Sequence, residues 1–145
     1  MTRRESREAA MTLLYERACS SDVTAEEMYN RSLYLRGIEE NDYIRTVYFG
    51  VWENIDMIDG RISACAIEWS LDRMAKVTLA ILRLAAYELY YMPTMPKGVT
   101  INEAVELAKQ FDEAQSPSFI NGILSKMAAD ETIEKVEVPR GSGRK

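Results

Sequence analysis

Apolar positions recur at intervals of three and four along nearly the whole of this 145-residue chain. That is the period of helices that each bury one face. Over 4–19, Ala9, Ala10, Leu13 and Leu14 keep the spacing and predict a first helix. Asp22 or Thr24 caps a second, which runs to about 35 and stops at Gly37, a residue that readily takes the left-handed conformation closing a helix. From Asp42 onward Ile44, Val47, Tyr48, Val51, Ile55, Ile58 and Ile62 predict one long helix. Gly50 and Gly60 inside it imply close helix–helix packing, or a break near Gly60. The segment 76–91 is apolar almost all round, as befits a helix in the middle of a bundle. Pro93 and Pro96 end it and predict an extended connection through Gly98.

The stretch VTINEAVELAKQFDEAQSPSFINGIL, 99–124, reads as two more amphipathic helices. Thr100 with Glu103 has the spacing of a capping box, so a helix is expected to begin there. Ile101, Ala104, Val105, Ala108 and Phe111 form its apolar stripe, and Ser116-Pro117 restarts a helix with proline in the first turn. No alternating pattern suggests a strand, and no segment repeats. The expectation is an all-α, compact bundle of six or seven helices in a single domain over 1–136. The polar remainder, 137–145, is expected to be a disordered tail, and its VPRGS run resembles part of an engineered protease site.

Composition narrows the function. A hydrophobic fraction of 47% suits a globular domain, and no apolar run is long enough for a membrane span. Without a signal peptide either, a cytoplasmic location is expected. Cys19 and Cys65 stand far apart and read as two buried thiols. Histidine is absent, which removes the commonest general base and metal ligand, and phosphate-loop and nucleophile-elbow motifs are missing. The chain is therefore expected to be no enzyme and to need no cofactor. Its net charge of −5 is unlike a nucleic-acid binder, but the charge is unevenly spread. Residues 22–68 carry ten acidic and four basic side chains, a balance of −6, whereas Arg3, Arg4 and Arg7 face only Glu5 at the start of the chain. The molecule reads as bipolar.

Arg3, Arg4 and Arg7 can follow a phosphate backbone, or can simply be a solvated helix start. Tyr15 and Phe119 can stack on unpaired bases, or belong to the core. Arg83 and Glu88 interrupt an apolar helix five residues apart, too far round it to face one another. A structural ion pair, of Arg83 with an acid such as Glu103, is the expectation, and Asn102 and Asn121 are expected to cap or bridge backbone groups. Trp52, Trp69, Tyr87, Tyr90, Tyr91 and Met92 should be mostly core, although the YYMPTMP run has surface enough for a docking patch.

Three blocks carry a family resemblance. INEAVELAK followed by SPSFINGIL, the central ILRLAAYEL, and the N-terminal RESREAA with Leu14-Tyr15 together resemble the NusB family of small helical RNA-binding transcription antitermination factors. The resemblance implies a NusB-like fold and binding of single-stranded, boxA-like RNA in nascent ribosomal-RNA transcripts. It implies joint action with the ribosomal protein NusE on the elongating RNA polymerase complex, and in some members a homodimer. It assigns the Arg-rich start to RNA and extends the RNA surface to Gln115, Ser116, Phe119 and Asn121. Glu5 inside the arginine block implies weaker, more partner-dependent RNA binding. Two alternatives stay open: an RNA-independent interaction scaffold or homodimer, and a NusB-like accessory domain of an RNA methyltransferase.

Overall fold

The computed structural model describes residues 1–20 and 22–136; the tail expected to be disordered lies outside the described residues. Seven α-helices and one 3-10 turn account for the regular structure among them: α1 (Arg3–Cys19), α2 (Ala25–Arg36), α3 (Asp42–Glu53), α4 (Ile55–Cys65), the turn Leu71–Arg73, α5 (Lys76–Tyr91), α6 (Lys97–Phe111) and α7 (Ser116–Ala128). None is long and apolar enough to cross a membrane.

The all-round apolar α5 is the axis of the bundle, packed by α1, α3, α4, α6 and α7. Its Ile81, Leu82, Leu84 and Leu89 are buried with Leu13 and Leu14 of α1, Ile44 and Val47 of α3 and Ile120 and Leu124 of α7. Gly50 is where α3 comes closest: a β-carbon there would stand 2.3 Å from the Tyr87 ring. Gly37 ends α2 at φ 65°, and its neighbour Ile38 closes the turn onto Leu33. Two capping boxes start helices, Thr24 with Glu27 at α2 and Thr2 with Glu5 at α1.

Several expectations are corrected. The long helix from Asp42 breaks at Asn54, not Gly60; the Asn54 backbone N–H closes α3 onto the Gly50 and Val51 carbonyls, and its side-chain amide adds a second bond to Gly50 at 2.8 Å. Gly60 faces open space, so it marks no close packing. The connection after Pro93 is short, because α6 already begins at Lys97 and includes Gly98. Thr100 consequently lies inside the first turns with its side chain buried, and it caps nothing. Cys19 is exposed and Cys65 half-buried, both as free thiols, where two buried ones were expected.

Candidate nucleic-acid interface

The start of α1 lies against α6, and the capping box explains the acid inside its arginine block. Glu5 accepts from the Thr2 backbone N–H at 2.7 Å, and this bond, the largest cause, holds its carboxyl below the usual range. Arg3 is exposed and lies 4.6 Å from the centre of the Tyr43 ring. Arg4 is also exposed and grips Glu103 of α6 through Nε and Nη2, at 3.0 and 2.7 Å. Hydrogen bonding from Arg4, ahead of all other causes, lowers the Glu103 carboxyl.

Arg7 is different: only 4% exposed, it is an interior residue and leaves the set of RNA contacts drawn from the sequence. Its Nε donates to Glu88 at 2.7 Å and its Nη2 reaches the second Glu88 oxygen at 3.3 Å. The Tyr43 hydroxyl donates to the same carboxylate, as does Thr100 at 2.6 Å. Burial drives the Arg7 guanidinium down, but bonding and charge from Glu88 outweigh it and the group is held more firmly protonated. Burial first, then the Glu88 charge, pushes the Tyr43 hydroxyl far above the ordinary tyrosine range. One carboxylate thus joins α1, α3, α5 and α6.

Arg83 pairs with Asp59 of α4 at 2.9 and 2.8 Å, which corrects the expected pairing with Glu103. Asn102 and Asn121 are both exposed and, among the described residues, bridge no backbone group. They face each other across a shallow groove between α6 and α7, which Ile101, Val105 and Ser118 also line.

The far end of α6 carries the rest of the expected site. There an open groove of about 760 Å³ is lined by Gln115, Ser116 and Phe119, and by Thr78 at the start of α5. Gln115 donates to Glu113 at 3.1 Å, and Asp112 accepts from the Thr78 hydroxyl at 2.5 Å. Phe119 is half-buried, resting on the core with one part in the groove. Tyr15 lines a separate small groove with Met28 and Leu35, between α1 and α2. Glu103 is eight residues from the end of α6, so Arg4 and the Phe119 groove are separated by roughly 12 Å along the helix. The structure thus gathers Gln115, Ser116 and Phe119 at the C-terminal end of α6, Arg4 against its middle with Arg3 over Tyr43, and the Asn102–Asn121 edge between α6 and α7.

Sequence reasoning missed the opposite wall of the groove, formed by Trp69, Arg73 and Met74. Trp69, expected in the core, is 48% exposed. Its signal was a tryptophan in a polar connection, IEWSLDR, with no apolar period to bury it. The YYMPTMP run is partly covered from the C-terminal side: Tyr90 donates to Asp130 at 2.6 Å, and Lys135 donates to the Glu88 and Met92 carbonyls.

Against known proteins, the family model described as "NusB family" matches residues 4–129. The transcription antitermination protein NusB of Acetivibrio thermocellus is 48% identical over 129 residues, covering 88% of each chain. That of Bacillus licheniformis is 40% identical over 130 residues, covering 90% of this chain and 98% of its own. The solved structure of T. maritima NusB superimposes with a TM-score of 0.79 at 34% identity, over 90% of this chain and 92% of the other. Since the matched span takes in α1 through α7, the seven-helix fold and the three sequence blocks describe one relationship: this chain belongs to the NusB family.

Proposed function

We propose that this chain is a transcription antitermination factor that binds boxA-like single-stranded RNA of nascent ribosomal-RNA transcripts together with the ribosomal protein NusE. The observation that carries the reading is the family match across residues 4–129, with antitermination proteins as relatives at 48% and 40% identity. The physical arrangement supports it. Arg3 and Arg4 present exposed guanidinium groups, Arg4 beside the middle of α6, and Arg4 can turn to a phosphate while Glu103 stays 3.7 Å from Arg7. Asn102, Ser118 and Asn121 give a polar edge beside α6, and Phe119 with Gln115 and Ser116 offers stacking and hydrogen bonds at its far end. Arg3, Arg4, Gln115, Ser116, Phe119 and Asn121 are the contacts of this reading, with Tyr15 on a neighbouring groove and Arg7 holding the scaffold.

With two exposed arginines against a net charge of −5, RNA affinity alone is modest, and the acidic region 22–68 suits a basic protein partner. Two modest contacts held together raise each other's effective concentration, which is the work of an antitermination factor in an elongation complex. The reading assigns this chain binding and no chemical step. Fluorescence anisotropy tests it, with boxA-like RNA against a scrambled control, with and without NusE, at two salt concentrations. Preferential binding that NusE strengthens and salt weakens is expected, each phosphate contact lowering the log–log slope by about 0.7. Equal binding of both RNAs overturns it in favour of non-specific RNA binding, and none with NusE present in favour of an RNA-independent scaffold.

A further inference from the structure

We infer that Glu103 is a positioning residue for RNA: it holds Arg4 away from phosphate and so limits the affinity of this chain for RNA of any sequence. The inference rests on the RNA-binding reading and deepens it. Two arginines of α1, Glu88 of α5 and Glu103 of α6 form one cluster, which is neutral only while Arg4 takes part. Glu88 is already matched: Arg7 donates to it through Nε and Nη2, and Tyr43 and Thr100 add their hydroxyls. Glu103 is therefore the acid left over. Among the described residues, both hydrogen bonds it accepts come from Arg4, at 3.0 and 2.7 Å, while Arg7 Nη1 stands off at 3.7 Å.

The two partners of that pair differ in what separation costs them. The Arg4 side chain is 61% exposed, so water readily replaces Glu103; the Glu103 side chain is 14% exposed, so water does not replace Arg4. A phosphate that takes Arg4 leaves this carboxylate mostly covered, with Arg7 Nη1 as the donor it closes onto. Arg7 is then shared between two carboxylates, and the cluster keeps one negative charge beside the incoming phosphate. Arg4 thus contributes less to RNA binding than an unpaired arginine does. A phosphate contact carries no sequence, so the restraint acts on boxA-like and unrelated RNA alike. It leaves the choice of RNA to base contacts, and to a protein partner that raises the local RNA concentration.

The test measures binding of boxA-like and scrambled single-stranded RNA to the full-length protein by fluorescence anisotropy, without NusE. Glu103→Gln keeps the shape of the side chain and removes its charge. It should bind both RNAs about threefold tighter, within the range of one partly exposed pair, with a salt slope steeper by about 0.7. In an Arg4→Ala background the same change should do nothing, whereas in Arg3→Ala it should still give the gain. Unaltered affinity in Glu103→Gln overturns the restraint and leaves the RNA reading standing. A gain that survives Arg4→Ala is an effect of net charge and also overturns it, as does a gain confined to boxA-like RNA, since Glu103 would then face a base. A second measurement needs no change at position 103. The Arg4 Nε–Hε NMR signal, assigned by its absence from Arg4→Ala, should move when RNA binds wild type; a signal that saturating RNA leaves in place overturns the exchange of partners. If wild type binds neither RNA, both readings fall together.

Discussion

Arg4 and Arg7 stand one turn apart on the same side of α1, and each reaches a glutamate on another helix, yet they belong to two different regions. Arg4 lies at the rim with its guanidinium largely in water, so the pair is worth little even though Glu103 is mostly covered. Arg7 lies under that rim against Glu88, almost wholly out of water, where a charge left alone finds no solvent to replace its partner. The contrast shows how one arginine block serves two ends. The rim keeps cations available for a ligand because the interior pair fixes the helix carrying them. Glu103 connects the regions, 2.7 Å from Arg4 and 3.7 Å from Arg7.

The sharpest way to break the comparison is to leave one interior charge alone. Glu88→Ala should cost about 3–5 kcal/mol in urea unfolding, since it strands a buried guanidinium and frees Tyr43 and Thr100. Arg7→Ala should match it; a loss under about 1 kcal/mol in both would mean the interior pair is not structural. The triple replacement of Arg3, Arg4 and Arg7 is therefore unsuitable as an RNA-binding test. Gly50→Ala probes the interior by packing alone and should cost about 1–3 kcal/mol, because the new methyl meets the Tyr87 ring unless that ring moves. At the surface Thr24→Ala removes the hydroxyl that caps α2 and should cost about 1 kcal/mol, read as a lower urea midpoint with the slope unchanged.

Acid titration probes a carboxylate away from both regions, Asp130 just after α7. The Tyr90 hydroxyl first, then Thr132, hold the Asp130 carboxyl down to about 2. A carboxyl lowered in the folded state adds stability that is complete above its ordinary value near 3.8 and disappears as pH falls through about 2. Asp130→Asn should therefore flatten the stability curve between pH 4 and 2; an unaltered slope there would remove Asp130 from the acid response. The smallest stability effect belongs to Arg3→Ala with Arg4→Ala, within about 0.5 kcal/mol by thermal unfolding. The same pair should weaken RNA binding and reduce its salt slope by about 0.7 for each phosphate no longer neutralised. Stability falling as far as for Arg7→Ala would erase the distinction between rim and interior.

Much of this was legible because helices announce themselves locally. The three- and four-residue period located every helical stretch, though it ran α3 and α4 together as one, and Gly37 and Ser116-Pro117 marked a stop and a start that the structure keeps to within a residue. The misreadings share one cause. Asn54 breaks a helix without disturbing its apolar period, since the stripe resumes in register at Ile55 and Ile58. Thr100 and Glu103 have capping-box spacing, but their partners are Glu88 and Arg4, distant in sequence. Of the candidate RNA residues, Phe119, Gln115 and Ser116 do share a groove, while the opposite wall comes from Trp69 and Arg73, some forty residues earlier.

By itself the sequence determined the helices, the buried identity of α5, the uneven charge and the family, because each is written in neighbouring residues or in short blocks. Only the tertiary structure decided which arginine is a ligand-facing cation and which is a structural one. Both occupy the same face of α1 at a spacing of three, so no periodicity separates them. What separates them is depth beneath α6, and depth exists only once four helices have closed around Glu88.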